Sequence, residues 1–301
     1  MVEWPSERKT YTLSKAHRPY MTKVAGIQMN GAPADKQTKI KKAVKLVDKA
    51  ASKGAKLVVL QELFATGYFC TKIENSFFKL AEDDTGPTVT RMREVAKRNR
   101  IWLVVPFFEM ERNVPGRYYN AAVLLSPEGR TIGKYRKQHL PAIYWTQEKF
   151  YFSPGNLGSP VMECGNIRLG IKICYDRHYP ELTRIMVLRG ANLVVTPTMT
   201  TKKLGRFNVW VPELIALAAN NHVYMLGVNS TGRQEGKEHF GHSVFIDPFG
   251  QVRHKLGEEE GIVYGDVDLE KLREARDTYN HLRDIRPDVN EVMLDLIRPR
   301  S

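Results

Sequence analysis

Cysteine is scarce in this chain: Cys70, Cys164 and Cys174 are the only three in 301 residues. They are too few and too irregularly spaced for a disulfide framework or a paired-cysteine metal site, which leaves a reduced thiol available as a nucleophile. Long apolar runs are missing as well. No stretch approaches the roughly 18 residues that cross a bilayer. The first residues, with Glu3, Arg8 and Lys9, lack the apolar core of a secretory signal, so a cytoplasmic protein without a membrane partner is expected. No low-complexity linker divides the chain. The expectation is therefore one domain over 21–281, with an N-terminal extension (1–20) and a charged, extended C-terminal tail (282–301) that reaches a neighbouring subunit.

What is present is ordinary in bulk and uneven in charge. Hydrophobic residues make up 42% and charged residues 26%, the composition of a globular protein able to bury a substantial core. The net charge of +13 invites a nucleic-acid reading. The basic residues are scattered, however, and no nucleic-acid-binding motif accompanies them, so a basic solvated surface is the better reading, with steering of anionic substrates as a weaker one.

Lys23–Met29 reads as a buried strand and 37–53 as an amphipathic helix carrying Ile40, Ala43, Val44 and Val47 on one face, closed by Gly54. Leu57–Glu62, Ile101–Phe108, Ala191–Pro197 and Val223–Val228 read as further strands, with helices after Gly86-Pro87, from Trp210 to Asn221 and from Leu269 to Tyr279. Two hairpins interrupt the alternation, one turning at Ser126-Pro-Glu-Gly129 and one at Asp247-Pro-Phe-Gly250. Two halves, each with βα units and a hairpin, predict an α/β fold: a four-layer α-β-β-α sandwich with pseudo-two-fold internal symmetry.

Three polar residues stand out against this frame. Cys174 ends an apolar run and precedes a helix start, a corner that suits either an inert buried thiol or a nucleophile held at a strand end. Glu62 closes Leu57-Val-Val-Leu-Gln-Glu62, where it is a capping or solvated residue or a base at the sheet edge. Lys137 lies in the basic cluster Lys134-Tyr-Arg-Lys-Gln-His-Leu-Pro141, solvated or partly buried and paired.

Taken together, Leu60-Gln-Glu62, Lys134-Tyr-Arg-Lys137 with His139-Leu-Pro141, and Ile173-Cys-Tyr-Asp-Arg-His-Tyr-Pro-Glu181 resemble the Glu/Lys/Cys triad of the nitrilase (carbon-nitrogen hydrolase) superfamily. The resemblance covers most of the chain. It implies that Cys174 attacks an amide carbonyl and that Glu62 carries the thiol proton to the departing nitrogen. It further implies that Lys137 and the backbone N–H of Tyr175 hold the oxyanion, that Glu148 positions the substrate and assists proton movement, and that water releases the acyl group. No metal or organic cofactor is implied. A homo-oligomer built from dimers is.

Within the superfamily, Phe69-Cys-Thr71, Gly155-Asn-Leu-Gly158, Cys174-Tyr-Asp-Arg-His178 and Asn221-His222 resemble β-ureidopropionases and the N-carbamoyl amino acid amidohydrolases. Arg177 then binds a substrate carboxylate. His178 binds substrate, and His139 binds substrate or supports the site by hydrogen bonding. Two departures stand out: Ile215 occupies a position where the family commonly has an arginine, and the loop 67–70 is short, with Tyr68 either a pocket wall or an ordinary packing tyrosine. The expected activity is hydrolysis of an N-carbamoyl amino acid, foremost N-carbamoyl-β-alanine of pyrimidine degradation. The alternatives are another superfamily amidase, acting on N-carbamoylputrescine or an aliphatic or ω-amide, and a silent scaffold or nucleic-acid-binding protein.

Overall fold

A computed structural model describes residues 21–298 apart from Pro33, Ala34, Tyr144 and Glu235. The expected N-terminal extension lies outside the described residues. Strand and helix alternate from the start, through β1 (Met21–Gln28), α1 (Lys36–Ser52), β2 (Leu57–Leu60), α2 (Pro87–Asn99) and β3 (Trp102–Met110). The hairpin β4 (Tyr118–Leu125) and β5 (Thr131–Arg136) closes the first half. A short ribbon, β6 (Ala142–Ile143) and β7 (Thr146–Gln147), leads to the single turn α3 (Glu148–Tyr151).

The second half runs through β8 (Val161–Cys164), β9 (Ile167–Ile171), α4 (Pro180–Leu188), β10 (Leu193–Pro197), α5 (Arg206–Asn221) and β11 (Tyr224–Val228). A ribbon of β12 (Thr231–Gln234) and β13 (Lys237–Phe240) precedes the hairpin β14 (Val244–Ile246) and β15 (Val252–Lys255). The chain then passes through β16 (Gly261–Asp268), α6 (Leu269–Thr278) and α7 (Pro287–Ile297).

Two six-stranded sheets result, ordered β16-β1-β2-β3-β4-β5 and β15-β14-β11-β10-β9-β8. Each has three parallel strands at its centre, an antiparallel hairpin on one side and an antiparallel strand on the other. The predicted pseudo-symmetry is therefore present, with one difference in connection. The flanking strand of the second sheet, β8, joins β9 directly, whereas that of the first, β16, arrives from the far end of the domain and pairs along all of β1.

The layers follow from the two-residue alternation of strands. Val24, Leu57, Val59, Val104, Ala122 and Leu124 turn toward the second sheet and share one core with Leu169, Ile171 and Phe245. Their chain neighbours Ala25, Val58, Leu60, Leu103 and Val105 pack under Ile40, Val47, Met92 and Val95 of α1 and α2. The other face of the second sheet is covered by Met186 of α4 and by Trp210 and Leu214 of α5. Sheet and sheet approach closely enough that a Cβ on Gly265 would lie 2.2 Å from a Phe245 ring carbon.

The expectation of an extended tail is corrected. Pro287 and Asp288 suit a first helical turn, and Val289, Val292, Met293 and Leu296 recur at helical spacing; the chain accordingly winds into α7, with those four side chains exposed.

Gly265→Ala is expected to cost about 1–3 kcal/mol through overpacking against Phe245, read as a lower denaturant midpoint with an unchanged slope.

Candidate active site

The carboxyl ends of the parallel strands from both sheets meet at one side of the sandwich, where the turn out of a strand can present a side chain between the layers. Glu62 stands two residues past β2, Lys137 directly past β5, Glu148 at the start of α3, and Cys174 three residues past β9. The first three are essentially sealed from solvent. Lys137 Nζ donates to Glu62 Oε1 (2.9 Å) and to both oxygens of Glu148 (2.9 and 2.7 Å). Asn120 Nδ2 on β4 donates to Glu62 Oε1 (2.7 Å), the backbone N–H of Met199 past β10 donates to Glu62 Oε2 (2.8 Å), and Tyr68 Oη donates to Glu148 Oε1 (2.7 Å). One ammonium is thus held between two carboxylates that accept three further hydrogen bonds from Asn120, Met199 and Tyr68, the kind of support under which buried charge is tolerated.

The electrostatics assign protonation states. Burial opposes the charge on Lys137, yet Glu148 and Glu62 outweigh it and hold the ammonium well above the ordinary lysine range. Burial lifts Glu148 to about 7 against the pull of Lys137, with Glu62 adding to the rise and the Tyr68 hydrogen bond opposing it. Burial, reinforced by Glu62, pushes Cys174 up to about 12. The nucleophile candidate is therefore a thiol near neutrality and needs a base to become reactive.

Cys174 takes a left-handed backbone conformation, φ +50°, costing about 1–3 kcal/mol for a residue with a Cβ. It opens the 3-10 turn Cys174–His178, and Asp176 locks that turn in place. The buried Asp176 carboxylate accepts from the backbone N–H of Ile173 (3.1 Å), Tyr135 Oη (2.7 Å) and the backbone N–H of His139 (2.9 Å), and its Oδ1 lies 3.0 Å from His139 Nδ1. The corner carrying the cysteine is thereby tied to the segment carrying Lys137. A second device acts on that segment. Gly155 lies so close to it that a Cβ there would sit 2.0 Å from the Arg136 carbonyl oxygen.

Above Cys174 lies a cleft of about 50 Å³ whose wall includes Tyr68, Glu148, Tyr175, Arg177, His178 and Arg206. Two roomier grooves of about 620 Å³ each lie elsewhere and contain neither the thiol nor its buried partners. The chemistry, not the volume, locates the site. Arg177 Nε donates to Glu213 Oε2 (3.0 Å) and Nη1 to the Cys174 carbonyl (3.0 Å), while Nη1 also lies 3.9 Å from Cys174 Sγ. His139 does not line the cleft; it faces Asp176 and stacks on Tyr179 at 3.5 Å. Ile215, on α5, packs against the core, so no cation stands at that position.

Sequence reasoning missed Glu213, Asp176, Asn120 and Arg206 as parts of this site. A lone carboxylate in the otherwise apolar helix 210–221 was the available signal for Glu213. It also missed Lys172, fully buried two residues before the cysteine, whose Nζ donates to Thr183 Oγ1 (2.7 Å) and whose pKa burial lowers to about 7. Among the described residues no cluster of His, Cys, Asp and Glu is arranged to hold a metal ion, and no helix is long and apolar enough to cross a membrane.

Two stacked α/β half-sandwiches, with a buried Glu–Lys–Glu relay and a cysteine at a strained strand end, match the fold of the carbon-nitrogen hydrolases. Residues 23–277 match that family, and the chain belongs to it, within the nitrilase superfamily of enzymes acting on amides. The chain is 32% identical to the N-carbamoylputrescine amidase of Solanum tuberosum over 93% of its own length and 97% of that protein. It is 30% identical to the citrullinase of Francisella tularensis subsp. tularensis, covering 89% and 96%. The crystal structure of a carbon-nitrogen hydrolase from Helicobacter pylori G27 superposes with a TM-score of 0.86 at 29% identity, covering 91% of this chain and 98% of the other.

Two outcomes are expected from the relay. Lys137→Met strands two buried carboxylates and is expected to lower stability by about 3–5 kcal/mol, measured by denaturant titration. Tyr68→Phe removes a hydrogen bond that lowers the Glu148 pKa, so the limb of the pH–kcat/KM profile governed by Glu148 is expected to move upward from about 7.

Proposed function

We propose that the protein is a cysteine amidohydrolase that cleaves a small linear ureido compound, R–NH–CO–NH₂, to the free amine R–NH₂, carbon dioxide and ammonia. The observation that carries this reading is the single buried ammonium between Glu62 and Glu148 beneath a thiol held at a strained corner. In this scheme Glu62 removes the thiol proton as Cys174 Sγ attacks the carbonyl carbon, and returns it to the departing nitrogen. Lys137 and the Tyr175 backbone N–H hold the developing oxyanion, Glu148 fixes Lys137, and one water completes the balance by hydrolysing the thioester-like intermediate.

The ureido class is supported by two relatives whose names specify N-carbamoylputrescine and citrulline, both ureido compounds. The far end of the substrate is supported from two sides. The cleft wall carries Arg177 and Arg206, while its one acidic member among the described residues, Glu148, is engaged by Lys137; this favours a carboxylate, as in N-carbamoyl-β-alanine and other ureido acids. The Solanum relative favours a terminal amine instead, so N-carbamoyl-β-alanine holds no special place among ureido acids.

Ammonia release measured across N-carbamoyl-β-alanine, citrulline, N-carbamoylputrescine and a simple aliphatic amide is expected to rank the ureido acids first. A higher kcat/KM for N-carbamoylputrescine would reverse the assignment of the far end, and activity confined to the aliphatic amide would remove the ureido class. Cys174→Ala is expected to lower kcat/KM on the preferred substrate by about 10³-fold or more.

A further inference from the structure

Among the described residues two guanidinium groups, those of Arg177 and Arg206, line the cleft, and the structure treats their charges differently. Arg177 is held by the protein through two of its three guanidinium nitrogens. Its Nε meets Glu213 (3.0 Å), its Nη1 meets the Cys174 carbonyl (3.0 Å), and its guanidinium carbon lies 5.4 Å from the centre of the Trp210 ring. With a carboxylate as partner and only 3% of its surface exposed, Arg177 serves as a bracket for the nucleophile corner, its charge already balanced.

Arg206, in the first turn of α5, has no carboxylate partner among the described residues. Its Nη1 lies 2.6 Å from His178 Nε2. An arginine N–H can only donate, so that ring nitrogen accepts, and the ring proton sits on Nδ1, 2.5 Å from Glu213 Oε1. Burial also holds the His178 pKa below its ordinary value, in keeping with a neutral ring. Glu213 therefore orients both Arg177 and His178, and the neutral imidazole orients Arg206 without cancelling its charge.

We propose that Arg206 is the residue that binds the carboxylate at the far end of the substrate, and that the Glu213–His178 pair aims it into the cleft. Arg177, by contrast, secures the Cys174 corner. This rests on the ureido-acid reading given above.

The test compares kcat/KM for N-carbamoyl-β-alanine with that for propylurea, a ureido compound of similar length without the carboxylate. In Arg206→Gln the ratio of the two is expected to fall about 10–100-fold, the scale of a lost charge-assisted hydrogen bond, chiefly through KM for the acid. Arg206→Lys is expected to recover much of that ratio. A merely structural role would lower both activities and leave the ratio where it was. Arg206→Met provides a second neutral side chain, with folding of each variant followed by thermal melting. An unchanged ratio in either folded neutral variant overturns the proposal, as does failure of both to fold. If the wild-type protein instead prefers N-carbamoylputrescine, the ureido-acid reading falls and takes this one with it. A wild-type preference for the acid with an unchanged ratio in Arg206→Gln overturns only the role of Arg206.

Discussion

The structure depends on burying one lysine ammonium between two carboxylates. Removing three charges from water costs several kcal/mol per ion unless each is met by well-placed partners, and the partners of this relay come from distant parts of the chain. Glu62 follows β2, Asn120 lies on β4 and the Met199 backbone N–H follows β10, so both sheets must be docked before Glu62 is satisfied. Tyr68 from the loop after β2 completes Glu148. The aromatic cluster of Phe69, Phe108, Tyr151 and Phe152 packs beside these groups and keeps water from them. Sheet packing and site assembly are consequently one event.

A second consequence concerns the thiol. A cysteine pushed up to about 12 would be inert on its own, because the thiolate is the nucleophilic form. Burial does most of this raising, and Glu62, which adds to it, also supplies a base, while Lys137 remains protonated to face the oxygen that becomes negative during attack. The arrangement suits proton transfer coupled to carbon–sulfur bond formation better than a standing thiolate–ammonium pair. The left-handed backbone at Cys174 fits this economy: the strain is tolerated because Asp176 and Arg177 hold the turn from two sides.

Legibility in the sequence followed the range of the interactions. Strands such as 57–60 and 193–197 were readable because they are buried on both faces and hence apolar throughout. Glu62, Lys137 and Cys174 were readable because each sits in a short motif at a strand end. Glu213 was not, since its partners Arg177 and His178 lie 36 and 35 residues away and no local pattern joins them. Asp176 lay inside the cysteine motif, but its role as the link to Tyr135 and His139 exists only in three dimensions. This link is also why His139 faces away from the cleft. In the tail, the charged residues between Arg283 and Arg298 masked the helical spacing of Val289, Val292, Met293 and Leu296.

The charge distribution separates two tasks that the net charge of +13 obscures. At the reacting end, two carboxylates face one ammonium, so the buried relay is negative overall whenever Glu148 is ionised. Toward the cleft, Arg177 pairs with Glu213 while Arg206 meets no carboxylate among the described residues, and the wall is left positive. A ureido acid entering carboxylate last would place its neutral carbonyl over the relay and its anion against the wall, avoiding like charges at both ends. A ureido amine would carry its ammonium to the positive wall, where the described residues offer it no free carboxylate. The polarity of the site, more than any one of its side chains, is therefore what the ureido-acid proposal rests on.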